Sequence, residues 1–161
     1  MIDILFLITF YLSFSHLDSK AVTGHIIKVA DGDTVILLTQ DNRQIKIRLE
    51  GIDAPERKQD YGTKATLYVR RLCEGKTVTV IKTGTDRYKR TLGILYVGNL
   101  NVNEYLVRQG LAWHYKQFNK SHRLDSLERL ARKERLNIWS LPNPVPPWEY
   151  RKNKKFKKNK I

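Results

Sequence analysis

Two short acidic motifs are candidates for ligands of one divalent cation. The first is DGDT at residues 31–34, between two predicted strands, and the second is IDAPE at residues 52–56, at the end of a third strand. If these strand ends meet in a barrel, Asp33 and Asp53 can offer hard oxygen ligands, with the Ala54 carbonyl and water completing a shell that suits Ca²⁺. Either motif alone is more typical of an ordinary turn, so the prediction depends on their combination.

Two arginines and a glutamate complete a set that suits phosphodiester hydrolysis. Arg48 precedes Asp53 by five residues, and Arg90 lies at the start of another predicted strand. Planar guanidinium groups bind phosphate oxygens in pairs and stabilise the negative charge of the transition state. Glu56, as a carboxylate that is not bound to the metal, can orient or deprotonate water. Each arginine alone is more typical of a surface residue in so basic a chain.

The elements around these residues predict a small barrel. Three runs rich in β-branched residues, separated by turn residues, lie between residues 22 and 52. Residues 61–76 place apolar side chains at helical spacing, and two more strands follow at 77–84 and 90–98. Five strands with a helix between the third and the fourth is the chain order of the OB-fold. The predicted fold class is therefore α+β, a five-stranded OB-fold barrel with three α-helices.

The other two helices are predicted in the last third of the chain. They cover residues 101–110, which begin with the spacing of a capping box, and residues 121–139, which carry an apolar face. Four of the five prolines then fall in LPNPVPPW at 141–148, which predicts an extended segment. Residues 151–161 contain seven basic residues and no acid, so we expect a disordered tail that contacts phosphates or only aids solubility.

The composition points to a polyanionic partner and to one domain. The chain has 161 residues, with 30 Lys and Arg against 16 Asp and Glu, a formal net charge of +14. Such a charge favours binding to nucleic acid, a membrane surface or an acidic polysaccharide. The single cysteine, Cys73, excludes an internal disulfide and a thiolate metal cluster. The four histidines form no ligand-spaced pair, so zinc and Ser/His/Asp chemistry have little support.

The N-terminus predicts an export signal over residues 1–21. Residues 4–14 are almost wholly apolar, and SKA at 19–21 has the form of a signal-peptidase site, although a basic n-region is missing. A membrane span needs about 20 apolar residues, roughly twice the length of this run. We therefore expect cleavage after Ala21 and a secreted or periplasmic protein. A misplaced start codon and an uncleaved hydrophobic tail are the alternatives.

The ordered series of motifs resembles the staphylococcal (micrococcal) nuclease family of thermonucleases. The resemblance covers about residues 22–140 and runs from HIIKVADGDTV through RLEGIDAPE and DRYKRTLGILYV to ARKERLNIWS. It implies an OB barrel with three helices over 22–140, followed by the proline-rich segment and basic tail at 141–161. It also implies Ca²⁺-dependent hydrolysis of DNA and RNA, with 5′ P–O cleavage that leaves 3′-phosphate ends.

The resemblance further assigns a role to each candidate residue. The metal and catalytic roles are calcium ligands at Asp33, Asp53 and the Ala54 carbonyl, an outer-shell acid at Asp31, a water-orienting base at Glu56, and phosphate-binding groups at Arg48 and Arg90. The substrate-binding roles fall on Arg87 and Tyr88, beside a nucleotide-binding turn, and on Tyr115, near tyrosines that pack against the base or the sugar.

One departure from the family pattern affects this turn. The chain has Lys89 where the archetype has glycine. If that position requires a positive φ, a lysine there is strained and can shift Arg90.

Two functions from different classes are consistent with these motifs. One is a monomeric, secreted Ca²⁺-dependent endonuclease acting on DNA and RNA, with no stable protein partner and no membrane span in the mature form. The other is a catalytically inactive OB-fold module that only binds nucleic acid. An inactive copy is expected to lose acids or arginines from the site, and all five of Asp33, Arg48, Asp53, Glu56 and Arg90 are present. A membrane-active polypeptide lacks support because no free amphipathic cationic helix is predicted.

Overall fold

The computed structural model describes residues 20–158, so the predicted signal peptide up to residue 19 and the last three residues lie outside the described part. Ala21, after which cleavage is predicted, is the first residue of a strand and pairs with Ile81. The described residues form eight strands, four α-helices and one 3₁₀ helix. These are β1 (Ala21–Asp31), β2 (Thr34–Thr39), β3 (Gln44–Leu49), β4 (Ile52–Asp53), α1 (Gly62–Cys73), β5 (Thr77–Thr85), β6 (Thr91–Val97), β7 (Leu100–Asn101), α2 (Val102–Arg108), β8 (Trp113–His114), α3 (His122–Lys133), the 3₁₀ helix (Asn137–Ser140) and α4 (Pro147–Lys158).

The five long strands close into a barrel, which confirms the predicted OB-like architecture. The strand order is β3-β2-β1-β5-β6, with β7 at the edge of β6 and an additional parallel pairing between β3 and β6. In that pairing Ile47 lies opposite Thr91 and Leu49 lies opposite Gly93. A Cβ on Gly93 would lie 2.6 Å from Cγ1 of Val80, so the closure of the barrel requires a residue without a side chain at this position.

The barrel interior is filled by alternate residues of the strands, as the period of two predicts. The α1 helix packs against β1 and the α2 helix packs against β6. They contribute Ala65, Val69 and Leu106 to the core. Each of these side chains is fully buried, and together they form one continuous core. The largest barrel contributions come from Val35, Leu37, Ile47, Leu49, Val78, Val80 and Leu95.

The predicted helix ends are also found. The Asn101 side chain accepts a hydrogen bond from the backbone N–H of Glu104 at 3.1 Å and donates to the Glu104 carboxylate at 3.4 Å. The first bond is a side-chain N-cap, which stabilises the start of α2, while the second joins the two side chains instead of the Asn101 backbone N–H that a full capping box uses. Gly110 follows the helix with a φ of 61°, the left-handed conformation that favours glycine.

The C-terminal segment corrects the prediction of a disordered tail. Residues 141–146 contain no helix or strand, as the prolines predict, but α4 then continues the fold to Lys158. Proline is favoured in the first turn of a helix, which suits the start at Pro147. The prediction failed because it considered the basic residues from 151 onward and not their anchor. Trp148 stacks in parallel on Tyr115 with ring centroids 5.2 Å apart and also contacts Trp113 at 5.6 Å.

Residues 20–158 therefore contain one α-helix more than the three predicted, and this helix is α4. No helix within residues 20–158 has the length and apolar character needed to cross a membrane.

Candidate active site

The Arg48 guanidinium joins the two acidic motifs. It extends from β3, and its Nη1 lies 3.2 Å from Oδ2 of Asp33 while its Nη2 donates to Oδ1 of Asp53 at 3.0 Å. Asp33 and Asp53 are buried and Arg48 is largely so, with 11% of the Arg48 side chain exposed and 1% of the Asp53 side chain. Two acids separated by 20 residues in sequence thus share one cationic group, so the strand ends meet as the sequence analysis requires.

Local packing explains why the motifs meet at this point. Gly32 of DGDT lies against IDAPE, since a Cβ on Gly32 would be 2.7 Å from the Cβ of Ala54 and 2.8 Å from the Cβ of Ala65. The backbone N–H of Ala54 donates to Oδ2 of Asp33 at 2.8 Å, and the Thr34 hydroxyl donates to Oδ1 at 3.0 Å. The glycine of the first motif and the alanine of the second therefore allow the close approach.

A third carboxylate lies next to this pair. Asp31 accepts a hydrogen bond from the backbone N–H of Asp33 at 3.1 Å. Burial, together with the charge of Asp33, raises the pKa of Asp31 to about 7. Burial is also the main cause that raises the pKa of Asp53, against the opposing effects of the nearby arginines. The carboxylates are therefore crowded and poorly hydrated, which favours an additional cation.

The donor set fits a hard divalent cation. Asp33 and Asp53 offer carboxylate oxygens, and Ala54 is in direct contact with Asp33 through its backbone. Oxygen donors of this kind suit Ca²⁺. Within residues 20–158, no group of three or more His, Cys, Asp and Glu side chains has the arrangement of a metal centre. The predicted set contains two carboxylates and a backbone carbonyl, with the remaining positions left to water.

Glu56 lies at the edge of this acidic cluster. Its side chain is 41% exposed, and its backbone N–H donates to the Gln59 side chain at 3.1 Å. Its carboxylate accepts a hydrogen bond from Nη1 of Arg151 at 2.9 Å. Because Arg151 also contacts Asp53, the candidate base and a candidate ligand are neighbours.

Arg151 is the site residue that the sequence analysis missed. Its Nη2 donates to Oδ2 of Asp53 at 2.7 Å, and its Nη1 donates to Oδ1 of the same carboxylate at 3.2 Å. The contact joins positions 98 residues apart, and Arg151 lies in the segment that was predicted to be disordered. The available signal was the proline pair followed by Trp148 and Tyr150, which precedes Arg151 and is compatible with an anchored helix.

Arg90 lies at the same end of the barrel as Arg48 but makes different contacts. The next residue, Thr91, begins β6, and Leu92 pairs with Arg48. The Arg90 guanidinium is bound by Asp86, which accepts from its Nε at 2.7 Å and from its backbone N–H at 2.9 Å. The structure thus brings Arg90 to the correct strand end without a contact to Asp33 or Asp53.

The turn before Arg90 has the backbone strain expected from a lysine at a position where the family pattern has glycine. Lys89 has a φ of 61°, in the left-handed region where glycine is favoured. The turn is held by the Asp86 carboxylate, which also accepts the N–H of Tyr88 at 2.8 Å. These hydrogen bonds hold the pKa of Asp86 below its usual value, against the opposing effect of its desolvation.

The three predicted substrate-binding residues have different surroundings. Arg87 lies over the ring of Tyr88 at 4.9 Å, and Tyr88 is 64% exposed, so both are accessible on the turn that carries Arg90. Tyr115 instead packs between Trp148 and Phe118. Its backbone N–H donates to the Gly51 carbonyl at 2.9 Å, next to IDAPE. A substrate role stays a prediction for all three.

Comparisons with known proteins agree with this fold. The family model described as staphylococcal nuclease homologue matches residues 46–141. The chain belongs to this family. The matched region contains Arg48, Asp53, Glu56 and Arg90, whereas Asp33 and Arg151 lie outside it.

Curated relatives support the same assignment to a nuclease family. An uncharacterized endonuclease of Escherichia coli is 43% identical over 134 residues, which cover 83% of this chain and 87% of the relative. An uncharacterized endonuclease of Haemophilus influenzae is 37% identical over 134 residues, covering 83% and 75% of the two chains. The micrococcal nuclease of Shigella flexneri is 37% identical over 144 residues, covering 82% of each chain.

Proposed function

We propose that this protein is a Ca²⁺-dependent, sugar-nonspecific endonuclease. It hydrolyses phosphodiester bonds of DNA and RNA by 5′ P–O cleavage and leaves 3′-phosphate ends. The observation that carries the proposal is the Arg48 guanidinium, which lies within 3.2 Å of both Asp33 and Asp53. Membership of a nuclease family and the net charge of +14 support a nucleic acid as the substrate.

The metal would be held by carboxylate and carbonyl oxygens of the two joined motifs. Asp33, Asp53 and the Ala54 carbonyl are the proposed ligands, and Asp31 acts from the outer shell. When bound, Ca²⁺ supplies positive charge beside a phosphate oxygen and the attacking water. The crowding that raises the pKa of Asp31 and Asp53 is consistent with such a ligand.

The protein's own residues provide the proton transfer and the charge stabilisation. Glu56 accepts a proton from water as the water oxygen bonds to phosphorus. The bond from phosphorus to the 5′ oxygen breaks, and this oxygen takes up a proton to give a hydroxyl end. Arg48 and Arg90 donate hydrogen bonds to the phosphate oxygens as negative charge accumulates. A largely buried guanidinium such as Arg48 is effective because water competes little with it.

One observation favours the alternative, a module that binds nucleic acid without cleaving it. Arg151 already engages Asp53 and Glu56, so a cation of the protein itself neutralises two of the residues that hydrolysis requires. Under this alternative the site binds polyanions through its basic surface alone.

One experiment separates the two functions. Purified protein is incubated with plasmid DNA and with RNA in the presence of Ca²⁺, Mg²⁺ or a chelator. We expect cleavage of both substrates with Ca²⁺ and none with the chelator. The product ends should be 5′-hydroxyls that a polynucleotide kinase labels without prior dephosphorylation. Binding to both substrates without cleavage would support the inactive module instead.

A matched pair of variants tests the role of Glu56. Glu56→Gln is expected to lower turnover by about 10²- to 10⁴-fold, the usual contribution of a general base. Glu74→Gln makes the same chemical change at an exposed position after α1 and is expected to retain activity. Equal activity of both variants would remove Glu56 from the mechanism.

We also propose that the protein is exported and acts as a monomer. The observation that supports export is the apolar run at residues 4–14 followed by the small-x-small sequence SKA at 19–21. N-terminal sequencing of the protein recovered from the periplasm or medium should give Val22 as the first residue. Size-exclusion chromatography with light scattering should give the mass of one chain.

A further inference from the structure

We propose that Arg151 is an internal cation that competes with the metal for Asp53 and Glu56, so that the docking of α4 is autoinhibitory. The inference rests on the proposed function, because it takes Asp53 as a metal ligand and Glu56 as the base. It adds a regulatory element outside the matched family region.

The geometry of Asp53 makes the two cations mutually exclusive. Arg151 binds both of its oxygens, at 2.7 and 3.2 Å, and Arg48 binds one of them at 3.0 Å. A carboxylate has about four lone-pair positions, and three are therefore directed at guanidinium protons. Only 1% of the Asp53 side chain is exposed, so a Ca²⁺ ion has no second face from which to approach. Metal binding to Asp53 thus requires Arg151 to leave.

The same guanidinium also blocks the base. Nη1 of Arg151 donates a charge-assisted hydrogen bond to Oε1 of Glu56 at 2.9 Å. This bond occupies the oxygen that would otherwise face the attacking water. One side chain therefore suppresses two requirements of hydrolysis, the ligand and the base.

The rest of α4 shows how the contact is held and how it can open. Trp148 stacks on Tyr115, and it lies three residues before Arg151 on the same helical face. The Tyr150 hydroxyl donates to the Lys58 carbonyl at 3.3 Å. The Arg151 side chain is 40% exposed, so its displacement does not open the barrel core.

The test measures Ca²⁺ affinity of the full-length protein by calorimetry without nucleic acid. Arg151→Gln removes the charge and the paired hydrogen bonds, while Lys152→Gln makes the same charge change at an exposed neighbour on α4. We expect Arg151→Gln to bind Ca²⁺ roughly ten-fold more tightly than wild type, since it no longer has to break charge-assisted hydrogen bonds. Lys152→Gln is expected to stay within about two-fold of wild type.

A second variant and a second measurement keep the test independent of one substitution. Trp148→Ala removes the stacking contact but leaves Arg151 in place, and it too is expected to tighten Ca²⁺ binding. In the wild type, Ca²⁺ should increase amide hydrogen exchange across residues 147–155 while it protects the acidic motifs.

The outcomes separate this inference from the proposed function. Equal Ca²⁺ affinities in wild type, Arg151→Gln and Lys152→Gln, with cleavage still dependent on Ca²⁺, would overturn the autoinhibitory contact alone. Reduced turnover of Arg151→Gln at saturating Ca²⁺ without a change in affinity would also overturn it, and would indicate a contact of Arg151 with the phosphate. Absence of Ca²⁺ binding and of Ca²⁺-dependent cleavage in all proteins would overturn both proposals.

Discussion

The Asp33 carboxylate accepts a hydrogen bond from the backbone N–H of Ala54 at 2.8 Å, and this contact joins the two acidic motifs directly. This hydrogen bond orients the Asp33 carboxylate, and its donor belongs to the segment that also carries Asp53. The positions of the two candidate ligands are therefore coupled. The contact depends on a close approach between the two turns, which Gly32 makes possible.

Gly32→Ala should therefore disturb the site and the fold together. The added Cβ would lie 2.7 Å from the Cβ of Ala54, too close for either turn to stay in place. We expect the free energy of unfolding to fall by about 1 to 3 kcal/mol, as in other overpacked sites, and activity to fall with it. Gly84→Ala is the matched control, because its nearest atom would be 3.9 Å away. Chemical denaturation of both variants gives the comparison, and equal stabilities would contradict the packing argument.

The hydrogen bonds of the Asn103 side chain should help to hold the barrel closed. This buried side chain accepts a hydrogen bond from the backbone N–H of Leu95 at 3.0 Å and donates to the carbonyls of Glu50 at 2.9 Å and Gly93 at 3.2 Å. Asn103→Ala would remove the partner of the Leu95 N–H and of the Glu50 carbonyl, whereas the Gly93 carbonyl would still accept a hydrogen bond from the Glu50 N–H at 2.9 Å. We expect a loss of about 2 to 5 kcal/mol in the free energy of unfolding. Asn101→Ala, which removes only a helix cap, should cost about 1 kcal/mol, and denaturant titration can rank the two.

The barrel and the acidic motifs could be predicted because their signals are local. Strand periodicity, the helix at 62–73 and the helix cap at Asn101 depend on residues close in sequence, and all of them are present in the structure. The meeting of Asp33 with Asp53 was predicted from chain order alone. It is confirmed through the contacts of both with Arg48.

The C-terminal helix could not be predicted in the same way because its order is tertiary. Residues 151–155 are strongly basic and have too little apolar surface to fold alone. Trp148 provides the anchor on Tyr115, and Arg151 finds acids 95 and 98 residues away. The proline pair and Trp148 are compatible with an anchored helix, but the distant partners of Trp148 and Arg151 leave no local pattern, so composition suggested disorder where long-range packing imposes a helix.

Arg90→Ala tests whether the turn that carries this arginine serves the site. The variant is expected to lower turnover on the order of a hundred-fold or more, because a guanidinium aimed at the transition state is lost. Its melting temperature should change little, since the backbone N–H groups of Tyr88 and of residue 90 still bind the Asp86 carboxylate. Arg70→Ala, at an exposed position of α1, is the control. Turnover of Arg90→Ala equal to that of this control would remove Arg90 from the mechanism.

The basic face of α4 should contribute to substrate binding through charge alone. Lys154 and Lys155 are exposed, and changing both to glutamine should reduce the slope of log K against log salt for DNA binding by about 1 to 2. Cleavage at low salt should persist, because neither residue contacts the acidic cluster. A fluorescence anisotropy titration at several salt concentrations measures the slope. An unchanged slope would show that α4 does not contact phosphates.

Asp31 gives a pH dependence whose sign follows from its pKa. Its pKa rises from 3.8 to about 7 on folding, so the folded protein binds an extra proton between these values, and stability falls as pH rises through that range. Asp31→Asn abolishes this titration. In chelator, we expect it to be more stable than wild type by on the order of 2 to 4 kcal/mol above about pH 7, and equal below about pH 4. Asp41 is the opposite case, since the Thr39 hydroxyl holds its pKa below the usual value and Asp41→Asn should therefore lose stability at neutral pH. Thermal unfolding from pH 4 to 8 measures both, and a pH-independent difference for Asp31→Asn would show that folding does not raise the pKa of Asp31.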